Sequence, residues 1–218
     1  MCDVFREAIL KPNLQVDLVN VRARVISVAV NTYRFTDLAS SAEPLPDRFA
    51  IKFMTPTVFR RSVFDCCPEC PRYIEYTLKA RRGEGIKKPC RYAAICRGMV
   101  IPLPIPALMF RNMARIWSVF SDTHLDVQGA ARWAEKAIMV AGFPKGIRTV
   151  RIYEHPTTNK WIVGFMGIVR FSIREDLYRE EYARAASALL KMAEITNIGV
   201  RRTAGLGVIK VYSAKIRR

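Results

Sequence analysis

Between Gly199 and the pair Gly205 and Gly207, the chain places Arg201, Arg202 and Thr203. Glycine adopts torsions that side chains forbid and lets backbone approach a ligand closely. A loop built this way can turn its amides toward phosphate, with arginine adding bidentate donors and threonine a hydroxyl. The plainer alternative is a tight helix-to-strand connection whose arginines sit in solvent. Residues 201–218 carry six basic residues and no acidic one, a bias that favours the anion-binding reading. The stretch is not a dinucleotide fingerprint, because it lies between a helix and a following strand rather than the reverse.

Two other residue groups could do chemistry. Five of the six cysteines fall between Cys66 and Cys96. Cys67 and Cys70 have the spacing of a zinc knuckle, and Cys90 with Cys96 would complete four thiolates, with Cys66 able to replace Cys67. Such zinc would be structural, since four thiolates leave no position for a water. One or two disulfides, or buried free thiols, remain open alternatives. Of the two histidines, His155 lies in the turn-rich "HPTTNK" beside Tyr153 and Lys160, and its ordinary pKa suits proton transfer near neutrality. A turn histidine without chemical work is the alternative. His124, in "SDTHLD", reads as a loop residue ahead of a helix.

The whole chain sets the partner class. Its 218 residues are 50% hydrophobic, enough to bury a core, and 36 Lys+Arg against 19 Asp+Glu give a formal net charge of +17. That balance points to a polyanion, with nucleic acid ahead of an anionic membrane surface. The longest apolar stretch, "MVIPLPIPALMF" at 99–110, is broken by three prolines and too short to span a bilayer. The N-terminus lacks the pattern of a secretion signal, so a cytoplasmic protein without a membrane partner is expected. Only two glutamines hint at a thermophilic source, where intracellular disulfides do occur.

These groups need elements to hold them. Residues 18–25 alternate as a half-buried strand, and 49–54 alternate again before "TPT". Residues 55–104 hold the cysteines, the basic run "KARRGEGIKKPCR" and a proline series, and read as an insertion. Met109, Met113, Ile116, Trp117 and Phe120 recur at helical spacing, predicting a helix over 106–121, and Asp126 caps a shorter second helix. Strands are expected at 147–154 and 161–173 as a hairpin, with Gly164 and Gly167 marking a bulge or close contact. A helix carries Tyr178, Tyr182, Ala186, Leu189 and Ala193, stops near Asn197 and Gly199, and gives way to a last strand, "LGVIKVYS". The order strand, helix, strand, strand, helix, strand makes this an α+β, ferredoxin-like (RRM-like) βαββαβ domain over 49–213. An N-terminal lead-in with an added strand occupies 1–48, and a basic tail 214–218.

Three stretches together resemble a known family. "GVRRTAGLG" at 199–207 looks like the C-terminal glycine-rich motif of the CRISPR-associated endoribonucleases that cut precursor CRISPR RNA within its repeats. "IKFMTPTVFR" at 51–60 is similar to the family's strand ending in a Thr-Pro step, and "GFMGIVRFSI" at 164–173 to its glycine-containing central strand. The resemblance implies cleavage without a metal, the RNA's own 2′-hydroxyl attacking phosphorus to leave a cyclic phosphate and a 5′-hydroxyl. It implies repeat RNA as partner, with other CRISPR-associated proteins or a second chain beside it. On this reading Gly199, Arg201, Arg202, Thr203, Gly205, Gly207, Arg60, Arg61 and Lys160 would contact RNA. The family's proton-moving histidine usually lies in an N-terminal half, and residues 1–48 contain none, so no catalytic residue carries over from the family; His155 is the candidate on its own chemistry, with lysine-based and tyrosine-based sites left open. A non-catalytic subunit that holds guide or repeat RNA for a partner is the second reading, and a zinc-ribbon nucleic-acid-binding protein the third.

Overall fold

In the computed structural model the described residues are 31–60, 100–152 and 161–212, with the backbone alone of 15–18, 21–24 and 153–154. The chain divides into two units, 1–34 and 35–218. In the first, β1 (Gln15–Leu18) pairs antiparallel with β2 (Val21–Arg24), Leu18 opposite Val21. The single strand expected at 18–25 is therefore two, and the chain reverses inside it. The sequence alternates unbroken from 18 to 25 with no glycine, so nothing in it marks the reversal.

The second unit is built on β3 (Arg48–Thr57), whose Phe49, Ile51 and Phe53 turn inward and are at most 1% exposed. After β3 come a two-residue strand, β4 (Phe59–Arg60), and its antiparallel partner β5 (Val100–Ile101). These two close the base of the 55–104 stretch, and residues 61–99 lie outside the described ones. A short helix, α1 (Phe35–Ser40), precedes β3 and sets the Phe35 ring edge-on to Trp117 at 5.0 Å.

The helix α2 (Pro106–Phe120) begins with proline where a missing N–H costs nothing, and buries Met109, Phe110, Met113, Ile116 and Trp117. Asp126 caps α3 (Val127–Ala137), its carboxylate accepting from the Gly129 amide at 2.7 Å. From α3 the chain runs directly into β6 (Ile138–Gly142), then β7 (Ile147–Glu154) and the long β8 (Trp161–Ile173). β6 pairs with Arg170–Ile173 and β7 with Trp161–Gly167, so the two occupy successive stretches of one β8 edge. Together they form one interrupted strand. The last helix, α4 (Glu180–Thr196), buries an alanine-rich face, and β9 (Ile209–Tyr212) ends the sheet.

β8 pairs on its other edge with β3, and β3 with β9, every pairing antiparallel. With β6 and β7 taken as one strand, the order is second, third, first, fourth. This is the ferredoxin-like arrangement expected from the sequence, with helices on one face. Antiparallel pairing also fixes the ends. The finish of β3 and β7 and the start of β8 and β9 share one end of the sheet, and the loop before β9 lies there.

Candidate nucleic-acid interface

The register between β3 and β8 slips, Phe53 facing Gly167 and Thr57 facing Phe165, so β3 carries a bulge across Met54–Pro56. This bulge holds the glycine loop. The Met54 amide donates to the Val208 carbonyl at 2.8 Å, the Val208 amide to Thr55 Oγ1 at 2.9 Å, and the Gly207 amide to the Pro56 carbonyl at 3.2 Å. Beyond it the Val200 amide donates to the Val58 carbonyl at 2.9 Å, and the Gly199 amide to Asn112 Oδ1 of α2 at 2.9 Å. The third glycine-bearing stretch closes on the same joint: a Cβ on Gly164 would lie 2.9 Å from Pro56 Cβ. The Thr-Pro strand end, the central strand and the glycine loop are thus one mechanical unit.

Within the loop, Gly199 and Gly207 turn inward. Gly207, at φ +74°, passes so close to the Ile198 carbonyl that a Cβ would overlap it, and a Cβ on Gly199 would sit 2.5 Å from the Val58 carbonyl oxygen. Their amides are spent on protein acceptors. The tip differs. Arg201 adopts left-handed backbone at φ 57°, ψ 34° and leads into the 3-10 turn Arg202–Ala204, which ends on Gly205 at φ 76°. A left-handed residue followed by right-handed turn residues forms a concavity of amides, a nest that suits an anion. The amides of Arg202 and Thr203 have no acceptor among the described residues.

The guanidinium of Arg202 is half-buried at the end of α4, where Nη1 donates to the Thr196 carbonyl at 3.3 Å. That carbonyl belongs to the negative end of the helix dipole. Burial holds the pKa of Arg202 below the ordinary arginine value, and a second cation, Arg115 of α2, pushes it the same way. Arg202 therefore feels a second positive charge, and an anion bound at the turn would relieve that repulsion. Arg201 and Thr203 are exposed around it.

A second basic surface lies on the sheet face away from the helices. Outward residues fall in cross-strand rows, Lys210 beside Lys52 beside Ile168, then Tyr212 beside Ala50 beside Arg170. Arg48 and Arg148 lie on the same face, and no carboxylate occupies these rows. Lysines placed directly opposite, as Lys52 and Lys210 are, repel one another. Such a face is cheaper with polyanion on it.

Of the residues singled out from sequence, Gly199, Arg201, Arg202, Thr203, Gly205 and Gly207 are brought together, and Arg60 is exposed on the β4–β5 stem at the same end of the sheet. Arg61, His155, Lys160 and the cysteines Cys66, Cys67, Cys70, Cys90 and Cys96 lie outside the described residues. Among the described residues the one histidine is the exposed His124 between α2 and α3, and none forms a metal-holding group of three or more His, Cys, Asp or Glu. Sequence reasoning missed Arg115 and Asn112. Both sit on the polar flank of α2, three residues apart, alongside Arg111 and Ser118, and that flank is the one available signal.

No helix among the described residues is long and apolar enough to cross a membrane. No curated protein matches the chain. Among solved structures, Thermus thermophilus Cas6 matches at 19% identity and a TM-score of 0.56, over 81% of this chain and 57% of that one. A Cas6 product complex matches at 18% and 0.65, over 96% and 71%, and a Cas6 substrate mimic complex at 17% and 0.62, over 96% and 74%. The chain thus spans little more than half the length of the Thermus protein. These likenesses concern the fold. A sequence model of CRISPR-associated endoribonuclease Cas6 matches residues 51–209, a span that includes all three joined stretches, and the chain belongs to that family.

Proposed function

We propose that the chain binds CRISPR repeat RNA through the 201–205 turn and the open sheet face, and that it takes part in processing that RNA. The observation that carries the reading is the 201–205 turn, where left-handed Arg201 leads into a 3-10 turn and the amides of Arg202 and Thr203 have no acceptor among the described residues, an arrangement that suits RNA phosphate. Membership of an endoribonuclease family and the net charge of +17 support it. The chemistry proposed is attack of the 2′-hydroxyl on the adjacent phosphorus, the P–O5′ bond breaking to leave a 2′,3′-cyclic phosphate and a 5′-hydroxyl. It needs no metal. One group takes the 2′ proton, another protonates the leaving oxygen, and cations hold the charge on the phosphorane. The loop supplies such cations, and His155 is the candidate proton carrier. A structural zinc on Cys67, Cys70, Cys90 and Cys96 stays part of the proposal and plays no part in the cut.

A second reading keeps the RNA without cleavage, as a subunit that presents it to a partner chain or to other CRISPR-associated proteins. It is favoured by the site itself: the described groups around the loop tip are cations and amides rather than proton shuttles. Incubation with repeat RNA in EDTA separates the two. Cyclic-phosphate ends that disappear when the cut-site sugar is 2′-deoxy establish the nuclease. A shifted complex of intact RNA establishes the binder. Absence of any complex would refute both.

A further inference from the structure

The three tryptophans divide by environment. Trp117 is 1% exposed and Trp133 is 8% exposed, both in the core, whereas Trp161, the first residue of β8, is 55% exposed. Trp133 donates its indole N–H to the Leu177 carbonyl at 2.8 Å, an ordinary core arrangement. Trp161 instead carries the Arg151 guanidinium 5.3 Å from its ring centroid. Arg151 faces Val163 across the β7–β8 hairpin, one pleat from Trp161, so the two side chains share a face. The contact fixes the indole and occupies one side of it, while more than half of the residue stays open to another planar group.

Placement adds a second argument. Trp161 begins β8 and Arg151 lies near the finish of β7, which puts both at the sheet end where the 201–205 turn precedes β9. An exposed, cation-backed indole at that end complements the turn, because phosphate-binding groups position a nucleic acid and ring faces hold its bases. We infer that Trp161, braced by Arg151, is a stacking platform for an unpaired nucleobase, with purines held better than pyrimidines because they present more ring. This rests on the RNA-binding reading and extends it: the loop grips the backbone, and the hairpin accepts a base splayed out of any duplex.

Two probes separate base from backbone, a single-stranded oligoadenylate and the same sugar-phosphate chain abasic at every position. Wild-type protein is expected to bind oligoadenylate more tightly than the abasic chain and to lose indole emission only with the former. Trp161→Ala should remove about tenfold of that preference and leave abasic affinity and salt slope alone. Trp161→Phe should keep most of the preference while abolishing the emission change, which also guards against an Ala variant that misfolds. Arg201→Ala with Arg202→Ala should weaken both probes alike. An unchanged preference in Trp161→Ala, an equal loss on both probes, or a Trp161 shielded from acrylamide in free protein by another packed segment would each overturn the platform. Wild-type protein that binds neither probe would overturn the RNA-binding reading and the platform with it. A loop-charge effect without a base preference would overturn the platform alone.

Discussion

The base and the tip of one glycine loop have opposite designs. At the base, Gly199 and Gly207 bury their amides against Asn112 and the β3 bulge, where no side chain fits. At the tip, Arg201 sits in a left-handed conformation that glycine would adopt more cheaply, and Arg202 keeps a charge that burial opposes. The base spends its special torsions on packing. The tip retains backbone strain at Arg201 and a partly buried charge at Arg202, and cost of that kind points to a ligand. Motif glycines here work as a mount, and the arginine turn is what is mounted.

The contrast can be broken by substitution. The largest effect is expected for Gly207→Ala: its methyl group meets the Ile198 carbonyl and only backbone movement relieves the clash, so a loss of about 3 kcal/mol should lower Tm by roughly 6–12 °C. Asn112→Ala strands the Gly199 amide and should cost about 2 kcal/mol, read as a smaller drop in the same melt. At Gly205 a methyl group would enter open space, leaving the torsional penalty of roughly 1–2 kcal/mol, so Gly205→Ala should melt well above Gly207→Ala. At the tip, Arg201→Gly removes left-handed strain together with the side chain, so RNA affinity should fall while the Tm loss stays well below that of Gly207→Ala. A Tm loss there equal to that of Gly207→Ala would erase the distinction between base and tip.

The smallest effect concerns a region remote in sequence from the loop. Burial, and then Glu180 and Asp47, raise the pKa of Tyr178, whose hydroxyl donates to the Leu45 carbonyl at 3.0 Å. A raised folded pKa means a contribution fully present below the ordinary value of 10.0 and lost as pH rises through the folded value. Melts of wild type and Tyr178→Phe should therefore converge above pH 10, with wild type ahead below it.

The legibility of the chain follows the range of the forces involved. Local periodicity was enough for α2, because Met109, Met113, Ile116 and Trp117 mark its buried stripe, and for α3, because Asp126 announces the start. It was not enough for β6. "IMVAG" follows α3 without a breaker before it, and the helix stops there because Ile138–Gly142 find ladder partners on β8, a tertiary event. The same limit explains the site. The glycines and arginines were visible as a cluster, but Arg115 beside Arg202 and Asn112 under Gly199 depend on α2 packing across the loop. The Thr-Pro step reads in sequence as the end of the strand, whereas β3 bulges at Met54–Pro56 and runs on to Thr57, where it holds the loop before β9.

The salt dependence of RNA binding tests the central claim most directly. Each lost phosphate contact should reduce the slope of log K against log salt by about 0.7–0.9. Wild type should therefore exceed Arg201→Ala with Arg202→Ala by about 1.5, measured well below the Tm of both. Identical slopes and affinities for the two proteins would contradict the account and return the turn to solvent.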